Sequence, residues 1–559
     1  MRIRFARAYR NAARVVGELR FDVAQRLASG ATLPKLPGIG PDLSTKVREI
    51  AATGTCALLE RLQGRAPAGV TELLSLPGLG PKRVRVLWHE LGVHTVEQLR
   101  RAASDGRVRT LPGFGAASEA KLLDAASARL SRARRFKLAV AAQYAAPYVA
   151  YLRAGRGVGE VIVAGSYRRM KETVGDLDVL AIADDGGATI ARFVGYDEVA
   201  DVLARGTTRA SVVLRCGLQV DLRVVAKESL GAALYYFTGS KAHNIAVRLI
   251  ARERGLKINE YGVFRGTRRI AGDTEESVFA AIGLPYIAPE LREDQGEIEA
   301  AQRGELPVLV ELADLRGDLH VHTRATDGRD ALTDMVDAAR RRGLRYVAIT
   351  EHSRRLHMAH GLDAARLARQ GAQIDRLNAR LDDITVLKGI EVDILEDGSL
   401  DLPDAALAKL DLVVGAVHGN FDLSRAEQTA RIIAAMDRPC FSILAHPTGR
   451  LIDDREPYDV DMQAIVRKAR SRGIALELNA QPERLDLTDV HCRMARDEGV
   501  LISIASDAHA VDELADLEFG VGQGRRGWLS RAHVLNALPL PQLRKALAAT
   551  MRADAVRGT

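Results

Sequence analysis

The sequence predicts a multidomain chain, helical at the front and α/β behind, ending in a barrel of alternating strands and helices. Three observations predict it. At 559 residues the chain exceeds one ordinary domain, and at about 100–200 residues each the expectation is roughly three to five units. Charge is unevenly divided: residues 1–137 hold 25 Lys+Arg against 11 Asp+Glu, a balance of +14 within a whole-chain +8. Ten of the 13 histidines lie at or beyond His320. A basic front and a histidine-rich back point to different chemistries.

Composition narrows the class further. With 47% hydrophobic and 27% charged residues the chain can bury several cores and is not disordered as a whole. No run approaches the ~18 apolar residues of a membrane span, and MRIRFARAYRNAARVV lacks the apolar core of a secretory signal. Cys56, Cys216, Cys440 and Cys492 are far apart and form no CxxC pair. That excludes zinc fingers and a disulfide framework and fits a reducing, cytoplasmic compartment.

Three segments repeat in the basic front: Leu36-Pro37-Gly38-Ile39-Gly40, Leu76-Pro77-Gly78-Leu79-Gly80 and Leu111-Pro112-Gly113-Phe114-Gly115. Each precedes an apolar-periodic stretch such as Val84, Leu87, Trp88 and Leu91. Two glycines around one apolar residue permit a tight hairpin and bare the first amides of the next helix, which bind a phosphate without reading a base. The pattern resembles the helix–hairpin–helix of DNA repair enzymes, and assigns Gly38, Gly40, Gly78, Gly80, Lys82 and Arg83 to the DNA backbone. The third copy has Ala116 and Ala117 where a basic residue would follow. The plainer alternative is Pro-Gly turns between packed helices.

In the middle, Val161–Ala164 reads as a buried strand, followed by Gly165-Ser166-Tyr167-Arg168-Arg169 and then Gly175-Asp176-Leu177-Asp178. Residues two apart on a strand share a face, so Asp176 and Asp178 converge. Asp221 lies in a second apolar strand, Leu218 to Val225. Three convergent acids can hold two Mg²⁺ ions for nucleotidyl transfer. Ser166 and Arg169, with the backbone at Gly165, are positioned for triphosphate oxygens.

The following Leu234-Tyr235-Tyr236-Phe237-Thr238-Gly239-Ser240, then Asn244, Arg248 and Ile258-Asn259-Glu260-Tyr261, closely resemble the pocket and thumb of family X DNA polymerases, of which DNA polymerase beta is the best-known member. The resemblance implies Asp176, Asp178 and Asp221 as metal ligands, with Asp221 the base for the primer 3′-hydroxyl. It implies Ser166, Arg169 and Gly175 on the triphosphate, Tyr236, Phe237 and Gly239 along the sugar, Asn244 at the base and Arg248 toward the template. Lys241 departs from the acidic residue found there in DNA polymerase beta. Lys46 falls where that group has a lyase lysine. Asp42 stands at a neighbouring basic position, and the usual preceding helix is missing, which favours a surface lysine over a Schiff-base former.

Behind a charged stretch from Glu290 to Glu311, Asp318-Leu319-His320-Val321-His322 leads to Asp327. Apolar runs then recur, each ending in a ligand type: Tyr346–Ile349 before His352, Val386-Leu387 before Glu391, Leu412–Val417 before His418, Phe441–Ala445 before His446, and Leu501–Ala505 before Asp507 and His509. Ala331–Arg342 and Ala426–Met436 show helical periodicity. Polar residues at strand C-termini describe a barrel with its site on the top face. Imidazoles with bridging carboxylates suit Zn²⁺, Mn²⁺ or Fe²⁺. The set closely resembles the PHP domain, a (β/α)7-type barrel. The match implies a trinuclear Zn²⁺/Mn²⁺ site of His320, His322, Asp327, His352, Glu391, His418, His446, Asp507 and His509. Glu351 replaces the family's common Asp.

The expected organisation is 1–62, a helical domain with the first hairpin; 63–137, a fingers-like DNA-binding domain; 138–230, a nucleotidyltransferase palm; 231–292, a thumb; 293–315, a linker; and 316–559, the PHP domain. The reading is a monomeric bacterial family X DNA polymerase filling short gaps in base-excision repair. Its partners are gapped or primed DNA and deoxynucleoside triphosphates, with Mg²⁺ or Mn²⁺ at the palm. The PHP domain is expected to supply a metal-dependent 3′→5′ exonuclease, with abasic-site cleavage or 3′-end trimming as an additional activity open to it. Two rivals stand beside it: a PHP phosphoesterase targeted by a non-polymerising front half, and a non-catalytic DNA-end scaffold.

Overall fold

A computed structural model of the chain describes residues 39–53, 79–133 and 135–551 continuously, with Val23, Leu27, Thr55, Cys56, Leu73, Leu74, Leu76 and Gly78 as single positions. The chain divides into two compact units, residues 1–134 and 135–559. In the first, the described helices are α1 (Pro41–Thr53), α2 (Pro81–Leu91), α3 (Val96–Ser104) and α4 (Ala116–Ala133). Proline at its first position, where no amide bond is lost, starts α2, and Gly92 at φ 66° ends it. Thr95 and Gln98 close a capping box on α3. Leu79, Val84, Leu87, Leu99, Phe114 and Leu122 bury against one another between these helices.

The second unit opens with a five-stranded sheet of order β2-β4-β7-β6-β5. Its strands are β2 (Val158–Val163), β4 (Asp176–Ala183), β5 (Val199–Arg205), β6 (Arg209–Leu214) and β7 (Gln219–Val224). A short pair, β1 (Phe136–Lys137) and β3 (Thr173–Val174), lies beside it. Alternation decides the faces: Leu177, Val179, Val220 and Leu222 are buried with residues of α5 (Leu138–Arg153) and α7 (Gly186–Val194), while Asp176, Asp178 and Asp221 take the opposite parity. The single turn of helix α6 (Gly165–Arg168) follows β2.

Next come α8 (Leu230–Thr238), α9 (Lys241–Glu253), the three-stranded sheet β8 (Lys257–Asn259), β9 (Gly262–Arg265) and β10 (Arg268–Ala271), and α10 (Glu275–Ala281). Residues 293–315, expected as a linker, are instead packed. Helix α11 (Glu297–Arg303) buries Ile298, Ala300 and Ala301 in the thumb core, while Val310 and Leu315 join the barrel core. Scattered apolar residues inside a charged stretch are enough to anchor it on both sides.

The remainder is a parallel barrel. Strands β11 (Gly317–Val321), β12 (Tyr346–Ile349) and β13 (Thr385–Lys388) form one ladder, and β14 (Glu391–Asp393), β15 (Val414–Ala416), β16 (Ile443–Leu444), β17 (Ala475–Asn479) and β18 (Ile502–Ala505) another. β13 and β14 are one strand kinked at Gly389, since Gly389 and Glu391 donate to the Ile349 and Glu351 carbonyls. The Val321–Ala508 bridge closes β18 onto β11. Seven strands thus complete the ring, with α12 (Leu332–Arg341), α13 (Ala364–Asn378), α14 (Arg425–Met436), α15 (Met462–Arg472), α16 (Asp489–Asp497) and α17 (Leu517–Arg526) outside, while Leu543 and Leu547 of α18 (Leu540–Thr550) pack with strand residues of the other parity, Tyr346, Ala348 and Val414.

Candidate active sites

The palm carboxylates meet because β4 and β7 run parallel with Asp178 directly opposite Asp221. Both oxygens of Asp221 are held: Ser211 Oγ donates to Oδ1 and Gln219 Nε2 to Oδ2 at 2.8 Å. Gly165, at φ 64°, brings the preceding turn against the cluster, and a Cβ there would stand 2.7 Å from Asp178 Oδ2. Burial, and then Asp176 and Asp221, push the Asp178 carboxyl up to about 7. Asp176 is raised by burial and Asp221. Two carboxyls raised in this way beside a third acid make a site that favours a cation.

Around this cluster, Arg169 Nε donates to Glu293 at 3.0 Å and its Nη1 to the Thr238 carbonyl. Ser166 lies in α6, and Gly175 immediately precedes β4 beside Arg135. Tyr236 and Phe237 meet edge to face at 5.1 Å, and the Arg223 guanidinium sits 4.4 Å over Phe237. Gly239, at φ 71°, turns the chain from α8 into α9. Asn244 is buried and donates to the Tyr236 carbonyl at 2.8 Å, so it shapes the pocket wall. Arg248 is exposed one turn beyond it.

The second cluster fills the top of the barrel. Glu391 is fully buried and faces five rings: His352 Nδ1 at 2.6 Å, His446 Nε2 at 3.0 Å, His418 Nε2 at 3.2 Å, His320 Nε2 at 3.5 Å and His322 Nε2 at 3.7 Å. Asp507 Oδ1 stands 3.1 Å from His322 Nε2, and Asp327 reaches His352 at 3.3 Å and His509 at 3.5 Å. All nine expected residues are together. Three subsets converge within 4.8 Å: His322, Asp327, His352 and His509; His320, His322 and Glu391; and His352, Glu391 and His418. They open onto a cavity of about 550 Å³.

His320 Nε2, both nitrogens of His322, His352 Nδ1, Glu391 Oε2 and His446 Nδ1 are buried and form no well-aligned hydrogen bond, although His352 Nδ1 and Glu391 Oε2 stand only 2.6 Å apart. Such atoms are expensive in a protein interior and are satisfied by cations, so the donor set fits a multinuclear metal centre. Electrostatics agree: burial works against charge on His352, but Glu391 and Asp327 outweigh it and raise the ring to about 10.

Several contributors escaped sequence reasoning. Glu477, in the middle of β17, is fully buried and accepts from His320 Nδ1 at 2.6 Å and from the His446 amide. Asp393 orients His418 Nδ1 at 3.0 Å, and Asn479 donates to Asp507 at 2.9 Å. Asp393 and Asn479 end β14 and β17 and obey the strand-end rule once those strands are known, whereas Glu477 lies mid-strand, two residues before Asn479 and of the same parity. Glu351 points away from the cluster to Thr323, Thr326 and Gln370, fixing the turn that delivers Asp327.

In the first unit, Gly38 lies outside the described residues. Gly40, Gly78 and Gly80 face open space, and Gly78 takes φ 83°. No side chain caps α2 at Gly80. Lys82 is exposed, whereas Arg83 bonds the Gly78 and Gly113 carbonyls and so ties two hairpins together. Lys46 donates to Asp42 at 2.5 Å.

Comparison with known proteins matches these regions in order. A helix-hairpin-helix domain model covers residues 4–56 and a SAM-like helix-hairpin-helix tandem residues 70–128. The DNA polymerase beta thumb covers 233–293 and the PHP domain 318–481. The chain is 39% identical to the DNA polymerase/3'-5' exonuclease PolX of Bacillus subtilis (strain 168), over 90% of this chain and 89% of that protein. Its last part is similar to probable phosphatases: 27% identical to one of Thermoanaerobacter sp. (strain X514) over 39% of this chain and 89% of that protein, and 30% to one of Syntrophotalea carbinolica over 35% and 82%.

Proposed function

The chain belongs to the bacterial family X DNA polymerases that carry a PHP domain, a DNA polymerase with a 3′→5′ exonuclease, and from that premise we propose that it fills short gaps during base-excision repair, trimming and extending one primer end. The observation that carries this is the presence, in one unit, of an acidic triad and a histidine-rich cluster, each built for cations.

Both domains are metal-dependent in kind. Mg²⁺ or Mn²⁺ would be held by Asp176, Asp178 and Asp221, and Zn²⁺ or Mn²⁺ by the nine barrel residues. Bound there, such ions lower the pKa of an attacking hydroxyl or water and neutralise phosphate charge. The chain's own groups do the rest. Asp221, fixed by Ser211 and Gln219, accepts the proton of the primer 3′-hydroxyl. Arg169, with Ser166 and the backbone at Gly165 and Gly175, holds the triphosphate. Tyr236, Phe237 and Gly239 line the sugar, with Asn244 behind them at the base and Arg248 toward the template. In the barrel, Glu477 and Asp393 set the tautomers of His320 and His418. The amides at Gly80, where no side chain caps α2, together with Gly40, Gly78 and Lys82, grip the DNA backbone without reading bases. We further read the protein as a cytoplasmic monomer; no helix among the described residues is long and apolar enough to cross a membrane.

The test is product length on a 5′-labelled primer facing a short gap, with Mg²⁺ or Mn²⁺. The wild type both extends and shortens. Asp176→Ala/Asp178→Ala only shortens, and His320→Ala/His322→Ala only extends. Loss of both activities in either variant would sink the two-site assignment.

A further inference from the structure

The turn assigned above to the triphosphate rests on the barrel. Arg526, the last residue of α17, is 3% exposed at its side chain. Its Nη1 donates at 3.0 Å both to the Arg169 carbonyl and to Glu293 Oε1, and its Nη2 donates at 2.6 Å to Asp489 of α16. Glu293 Oε1 is the same oxygen that accepts from Arg169 Nε at 3.0 Å. One carboxylate oxygen therefore serves two arginines, one from the nucleotide pocket and one from the PHP domain. The contact is close-packed: Met170 lies on Gly522 of α17, where a Cβ would stand 2.4 Å from its terminal carbon. Phe519 of the same helix packs against the palm core.

We propose that Arg526 is a positioning residue for nucleotide binding, which frees Arg169 for the incoming triphosphate by remaining as the partner of Glu293. This rests on the assignment of Arg169 to the triphosphate. For Arg169 to reach a phosphate it must leave Glu293, whose side chain is only 15% exposed and is poorly solvated in its place. Breaking a buried ion pair is costly chiefly because one charge is left uncompensated. With Arg526 in place the carboxylate keeps a charged donor throughout. Without it, Arg169 is, among the described residues, the one cation left in an ion pair with Glu293 and is retained there. Burial works to raise Glu293, but Arg169 and Arg526 together hold its carboxyl below the usual range, so it is charged and needs a partner at neutral pH. The PHP domain is thereby part of the nucleotide site as well as a second catalytic centre.

The experiment is steady-state insertion of a single nucleotide into a one-nucleotide gap by the full-length chain, with exonuclease rate measured alongside. Arg526→Met is expected to raise KM for the deoxynucleoside triphosphate roughly 5- to 20-fold, within the usual range of coupling between linked groups. Because ground-state binding is what changes, kcat should stay within about twofold. Adding Glu293→Gln to the same chain should return KM toward wild type, because the neutral amide no longer retains Arg169. A merely structural role predicts otherwise: KM, kcat and exonuclease fall together and Glu293→Gln restores nothing, which overturns the proposal. KM unchanged in Arg526→Met, while Arg169→Ala raises it, overturns the proposal and leaves the pocket assignment standing. KM unchanged in Arg169→Ala removes the assignment itself, and this inference with it.

Discussion

Asp178 and Asp221 stand directly opposite each other in the parallel β4–β7 ladder, and Ser211 of the neighbouring β6 is in turn opposite Asp221. The acid that joins the triad from a distant strand is thus oriented by two neutral donors, Ser211 and Gln219, one on each oxygen. Neutral donors fix a carboxylate without cancelling its charge. Ser211→Ala/Gln219→Leu is expected to lower the extension rate by about 10-fold, the lower end for loss of groups that orient metal ligands. Primer shortening should be unchanged. Extension at the wild-type rate would mean Asp221 needs no such support.

Glu391 faces five imidazoles. Glu391→Gln keeps shape and removes charge, so it should lower bound metal per chain and reduce exonuclease by about 100-fold, the upper end for loss of a group that merely orients a metal ligand and a floor for a ligand itself. Elemental analysis after dialysis, set beside both activities, checks it. Full metal content with full exonuclease would exclude Glu391 as a bridging ligand.

How much of this was legible in the sequence follows from the range of the interactions. The convergence of the palm acids could be read because Asp176 and Asp178 alternate on one recognisable strand and Asp221 lies on another. The grouping of the nine barrel residues could be read because strand ends recur. Ser211 could not, since its role exists only through the β6–β7 pairing. The 293–315 stretch was misread because Ile298, Val310 and Leu315 are too sparse to set a period, yet each finds a core. Arg526 and Glu293 are 233 residues apart, and nothing local marks either as half of a pair.

Glu275 links palm and thumb through Arg168 and the wholly buried Arg292. Burial works to raise its carboxyl, but Arg292 and Arg168 outweigh it and hold it below the usual range. A depressed folded-state value means the pair stabilises in full above the ordinary carboxylate pKa of 4.5 and that this is lost as pH falls through the folded value. Glu275→Gln leaves Arg292 buried and uncompensated, at a cost of about 3–5 kcal/mol near neutral pH. Its urea midpoint should therefore fall well below wild type at pH 7, with the gap narrowing in acid. A gap constant from pH 7 to pH 3 would show that the charge is not what matters.

The hairpins are distinguishable by their amides. At α2, Pro81 occupies the first helical position and no side chain reaches back to the N-terminus, so the following amides face open space beside exposed Lys82. At α4, Ser118 Oγ already accepts from the Gly115 amide at 2.8 Å. The second hairpin is therefore the better phosphate site, and the third is partly satisfied from within. Backbone grip of this kind releases counterions, and each phosphate contact contributes about 0.9 to the slope of log affinity against log salt. Lys82→Glu in the full chain should weaken binding to a gapped duplex, reduce that slope by about 1, and do so equally for unrelated sequences. Lys121→Glu, near the start of α4, should change the slope by less. Fluorescence anisotropy across a salt series measures both. A loss that depends on base sequence, or a larger effect at Lys121 than at Lys82, would reverse the ranking of the two hairpins.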